Sequence, residues 1–110
     1  MGEVTEPALA DVPVTAVLQA LADPTRLRMV RTIADGGERL CGMLEEQLPK
    51  ATRSHHLKVL REAGVTHTRV VGTGRYVSLR REELDRHFPG LLPAVLTAAE
   101  PAAAEKRAAV

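Results

Sequence analysis

Between positions 50 and 81 the chain carries Lys50, Arg53, Lys58, Arg61, Arg69, Arg75, Arg80 and Arg81 against Glu62 alone, a balance of +7. His55, His56 and His67 fall in the same stretch. Residues 1–49 hold four arginines against eight acids, and residues 82–110 hold three bases against five acids. A net charge of +1 therefore conceals a dipolar chain. A compact cationic stretch is the chemistry of polyanion binding. The plainer reading is a solvated helix paired with its acidic flanks. Nothing points to catalysis: there is no Ser/His/Asp set, no Gly-rich phosphate loop and no His-Glu-x-x-His. Tyr76 and Phe88 are the only aromatics, too few for the stacking platforms of single-strand binders.

The cationic residues need elements to hold them. Val14, Val17, Leu18 and Leu21 fall at i, i+3, i+4, i+7, which predicts a helix over 14–22. Asp23-Pro24 then reads as an N-cap followed by the first residue of a second helix, over 24–34. Leu27, Val30, Ile33 and Ala34 are its apolar stripe, and Asp35-Gly36-Gly37 stops it. A third, short helix is expected over 40–47, with Leu40, Met43, Leu44 and Leu48 inward. A fourth starts at Pro49 or Lys50 and runs to about Ala63, with Leu57, Leu60 and Ala63 or Gly64 as its buried stripe and Gly64 as C-cap. The pattern then changes to β-branched residues over 65–71, a Gly72-Thr73-Gly74 turn and an alternating run over 75–79, which reads as a hairpin. A fifth helix begins near Arg81, with Glu82 and Glu83 in its first turn, and breaks at Phe88-Pro89-Gly90. A last apolar segment spans 91–99. The expected organisation is a loose acidic arm over 1–12, one folded domain over 13–100 and an Ala-rich tail over 101–110.

The resulting class is mainly α with a small β-hairpin: a winged helix–turn–helix in the order α-α-α-α-β-β-α. A helix–turn–helix sets its second helix in the major groove, which is about 12 Å wide and admits one α-helix. That helix is here the basic one. Lys50, Thr52, Arg53, Ser54, His55, His56 and Lys58 crowd its first two turns, and Arg69 and Arg75 flank the hairpin tip. Phosphates would supply most of the affinity and the helix most of the sequence reading.

Three segments carry a family resemblance. Residues 20–28, Ala-Leu-Ala-Asp-Pro-Thr-Arg-Leu-Arg, resemble the opening signature of the ArsR/SmtB winged helix–turn–helix regulators. Residues 54–65, Ser-His-His-Leu-Lys-Val-Leu-Arg-Glu-Ala-Gly-Val, resemble their recognition helix and its exit, and Gly72-Thr73-Gly74-Arg75-Tyr76-Val77 fits their wing. The resemblance spans roughly residues 14–80. It implies a cytoplasmic homodimer on a palindromic double-stranded DNA operator, paired through the first and last helices. Two positions depart from the pattern. Pro49 stands where the family has a Ser-type cap. Arg53 stands where many members are apolar, either facing DNA or packing its stem with the head snorkelling out.

Many members of that family sense metals, and each known type of site is half present. Cys41-Gly42-Met43 offers one thiolate and a thioether where a Cys-x-Cys would be, a set that suits Cu(I) better than Zn. Asp85-Arg86-His87 matches the first half of an Asp-x-His site for Ni or Zn. The second half would fall near Ala98 and Pro101, which do not ligate. Two ligands per chain would become four across a two-fold axis. The plainer readings are a surface pair for Asp85 and His87 and a small apolar packing residue for Cys41. A second function class stays beside the first: a winged-helix interaction module that takes its signal from a separate sensory protein.

One cysteine leaves no internal disulfide and fits a reducing compartment. The N-terminus, with Glu3, Glu6 and Asp11 ahead of any base, does not read as a secretory signal. At 110 residues the chain has the size of one small domain.

Overall fold

A computed structural model describes residues 5–100. The tail expected over 101–110 and the first four residues of the expected arm lie outside the described residues. Five α-helices and a three-stranded sheet follow one another: α1 (Val14–Leu21), α2 (Pro24–Gly36), β1 (Arg39–Leu40), α3 (Lys50–Glu62), β2 (Thr66–Val71), β3 (Gly74–Leu79), α4 (Arg81–His87) and α5 (Leu91–Ala98). The winged helix–turn–helix class expected from the sequence is the one observed.

Punctuation residues set the boundaries. Asp23 caps α2, its Oδ2 accepting from the Arg26 N–H at 3.0 Å, with Pro24 at the first helical position. Gly37, at φ +82°, takes the backbone out of α2. At the end of α3 the Val65 N–H reaches Leu60 O and the Gly64 N–H reaches Arg61 O, both at 3.0 Å, with Gly64 at φ +79°. This doubly bonded C-terminus needs a left-handed residue, and Leu60 and Val65 close it with a buried apolar contact. The hairpin turns on Gly72 and Thr73, pairing Val71 with Gly74.

Three expectations are corrected. The short helix over 40–47 does not form. Arg39 and Leu40 pair with Val77 and Tyr76 of β3 instead, giving a sheet of order β1-β3-β2. A single 3-10 turn over Cys41–Met43 follows, and Glu45 sits at φ +53°. Its carboxylate holds Arg28 at 2.9 Å and Gln47 at 3.1 Å. Of the four residues expected inward, Leu44 is buried and Leu48 half-buried, while Leu40 and Met43 face out. Second, the stripe of α1 is rotated: Val17, Ala20 and Leu21 are buried, while Val14 and Leu18 stay exposed. In α2 Met29 is buried beside Val30 and Ile33, and Leu27 and Ala34 are half-buried. Third, the described part of the arm is not loose. A 3-10 turn over Leu9–Asp11 buries Leu9 in the core. The Glu6 carboxylate takes the Thr68 N–H at 2.8 Å and His67 Nδ1 at 2.9 Å, and Arg80 donates to Pro7 O at 2.8 Å.

The core lies where α1, α2, α3 and β3 meet, around Val17, Met29, Val30, Leu60, Val65 and Val77. Leu84 and Leu92 extend it under α4 and α5. α3 rests on this core through Leu60, fully buried, with Leu57 and Val59 partly buried against it.

Candidate nucleic-acid interface

α3 begins without a side-chain cap: Pro49 contributes its carbonyl to the Arg53 N–H at 3.0 Å and nothing more. Lys50, Thr52, Ser54, His55 and Lys58 are exposed on its outer face. The other two expected contact residues turn partly inward. Arg53 is half-buried and bends its head back to Leu48 O at 3.4 Å. His56 is more firmly held: its ring is only 15% exposed and its Nδ1 lies 3.2 Å from Arg26 Nη1. Asp23 Oδ2 stands 4.0 Å from the same nitrogen.

The wing is less cationic than its sequence. Arg69 donates Nη2 to Glu38 Oε1 at 2.7 Å and Nε to Glu38 Oε2 at 3.2 Å, a two-bond fork. Its guanidinium also lies 4.8 Å from the centroid of the Tyr76 ring. Hydrogen bonds from Arg69 hold the Glu38 carboxyl below its ordinary range and, reciprocally, raise Arg69 above its own. Arg75, paired in register with Val70 next to the tip, is exposed and has no ion-pair partner among the described residues. Of the expected contact residues, Lys50, Lys58 and Arg75 are the exposed cations with no ion-pair partner among the described residues.

A family model described as a helix-turn-helix domain matches residues 21–69, from the end of α1 to the middle of β2. The HTH-type transcriptional regulator YceK of Bacillus subtilis is 42% identical over 79 residues, which are 69% of this chain and 79% of that one. The arsenical resistance operon repressor of Staphylococcus xylosus is 33% identical over 72 residues, 64% of this chain and 69% of that protein. Among solved structures, the transcriptional repressor BigR from Xylella fastidiosa superposes with a TM-score of 0.61 at 31% identity, covering 79% of this chain and 86% of that one. The chain belongs to the ArsR family of winged helix–turn–helix regulators. It is a DNA-binding transcriptional regulator, as the sequence resemblance implied.

Within this ArsR-family chain, the half-sites for metal stay apart. Asp85 and His87 are two residues apart on α4, which sets them about 200° apart around the helix axis. Both are exposed, and Asp85 Oδ1 faces the Gly90 N–H at 3.5 Å. Cys41 is half-buried against the core, the position of a small apolar residue, and Met43 points outward. Among the described residues no three of His, Cys, Asp and Glu gather into a metal-sized group. A metal held here would need ligands from a second chain. Among the described residues, too, no helix is long and apolar enough to cross a membrane.

Sequence reasoning placed the outer face of α3 and missed two long-range contacts. In the sequence Arg26 is a base outside the apolar stripe of α2, and Glu38 is one of eight acids in residues 1–49. Their partners are 30 and 31 residues away, and no local pattern announces them.

Proposed function

We propose that this regulator binds a palindromic operator as a homodimer in the cytoplasm, each chain inserting α3 into a major groove and laying its wing on the neighbouring backbone. The observation that carries this reading is the exposed polar face of Lys50, Thr52, Ser54, His55 and Lys58 along the N-terminal part of α3. Thr52, Ser54 and His55 are the base-edge readers; Lys50, Lys58 and Arg75 neutralise phosphates, with Arg69 restrained by Glu38. Arg53, half-buried and about 20° around the helix from Leu60, contributes from the inner side of α3. α1 and α5 pair the chains through Val14, Leu18, Val95 and Leu96.

Fluorescence anisotropy against a duplex from the promoter region of its own gene tests the reading. About 6–8 phosphates neutralised per dimer give a log–log salt slope of about −5 to −7. Equal affinity for any duplex, or a slope near zero, overturns it. The restraint of Arg69 favours one competing reading, a winged-helix module that docks a protein partner and takes its signal from a separate sensor. Lys50→Ala with Lys58→Ala separates the two: operator binding is lost in the first case and untouched in the second.

A further inference from the structure

Arg26 occupies a position that the outer face of α3 does not account for. Its Nε donates to Ala20 O at 2.7 Å and its Nη2 to Gln19 O at 3.2 Å. Both carbonyls belong to the last turn of α1; Gln19 O also accepts the Ala22 N–H at 3.2 Å, and Pro24, four residues after Ala20, has no N–H to offer Ala20 O. Its backbone N–H is already committed to Asp23. The remaining guanidinium nitrogen, Nη1, meets His56 Nδ1 at 3.2 Å. One side chain thus joins the end of α1, the start of α2 and the second turn of α3.

A guanidinium has donors only. In this contact Nδ1 of His56 is therefore the acceptor, the tautomer that carries its proton on Nε2. The groups that face the ring are Arg26, Asp23 at 4.0 Å and the neighbouring His55 ring at 5.8 Å between centroids. With 15% exposure the ring has little water to replace a lost partner.

We infer that Arg26 is a positioning residue for the recognition helix: through Nδ1 of His56 it fixes the first turns of α3 to the C-terminal carbonyls of α1. α1 is also the helix that leaves Val14 and Leu18 exposed, so the clamp connects the pairing surface to the DNA-reading surface within one chain. His56 is thereby assigned to holding α3 rather than to touching bases. The inference rests on the proposed operator binding for its effect on affinity, but not for the contact itself.

Two substitutions at one atom position test it in the full chain. His56→Asn places an amide oxygen where Nδ1 stands, and His56→Gln places its amide near Nε2 instead. Anisotropy with the promoter duplex and native-state hydrogen exchange over residues 54–60 are read together. The expected result is near-wild-type behaviour for Asn, and for Gln about tenfold weaker operator binding with about tenfold faster exchange. Arg26→Lys should behave like Gln, because one ammonium cannot serve the α1 carbonyls and the ring together. The salt slope stays at the wild-type value in all three, since neither residue touches phosphate. Asn and Gln behaving alike in exchange, or a slope lowered by about one, overturns the inference. If wild-type protein binds no duplex, the operator reading falls and the exchange data alone still decide the clamp.

Discussion

At the scale of single residues, charge on this surface is set by pairing rather than by count. Arg69 contributes to the sequence's +7 block, yet Glu38 holds it in a fork. Glu38→Gln should release that guanidinium, tighten binding to any duplex and steepen the salt slope by about one phosphate contact per chain. Arg75→Ala should do the reverse, weakening all sequences alike and flattening the slope by about one per chain. Asp23 acts through its own charge. The hydrogen bond from the Arg26 N–H holds its carboxyl below the ordinary range, so the fold favours the ionised form. That stability is present at neutral pH and is lost as pH falls through the lowered folded-state value. Asp23→Ala should cost about 1 kcal/mol in urea unfolding at pH 7, and the gap to wild type should close in acid. A gap that stays constant down to pH 2 would mean the cap does not act through its charge.

At the scale of elements, the recognition helix is defined by how it ends. Gly64 holds φ +79°, and a Cβ there would come within 2.5 Å of Leu9 Cδ2. Gly64→Ala should therefore cost at least about 1–2 kcal/mol from the left-handed backbone alone, read by chemical denaturation. Leu9→Ala should cost about 2–5 kcal/mol, the range of a buried leucine; a change within about 0.5 kcal/mol would mark surface behaviour and return Leu9 to a loose arm. What could be read from the sequence follows the same division. α2, α3 and the hairpin were legible because Asp23-Pro24, Gly64 and Gly72 punctuate them locally. Residues 40–48 were not. Their leucine spacing suits a helix, but β3 recruits Arg39 and Leu40 across 36–38 residues of chain, and Glu45 is held in a left-handed turn by Arg28 from α2. The outer face of α3 was visible in its residue types, whereas the inward turn of His56 depends on Arg26, which only the folded chain brings near.

At the scale of the whole molecule, one chain does not bury all it should. Val14 and Leu18 are 43% and 44% exposed on a helix whose Val17, Ala20 and Leu21 are buried in the core. A domain of this size gains stability from a partner surface, and a second chain there would cover both residues and present a second α3. Linking two half-site contacts raises affinity by about 10²–10⁴ over one alone. Val14→Glu with Leu18→Glu places charge on that surface without entering the core. The variant should sediment as a monomer, keep its helical circular dichroism and bind the operator at least about 100-fold more weakly. Its salt slope should fall to half, because each chain carries half of the phosphate contacts. A monomeric variant with wild-type affinity and slope would show that a single chain reads the site, and pairing through α1 would then have no part in DNA recognition.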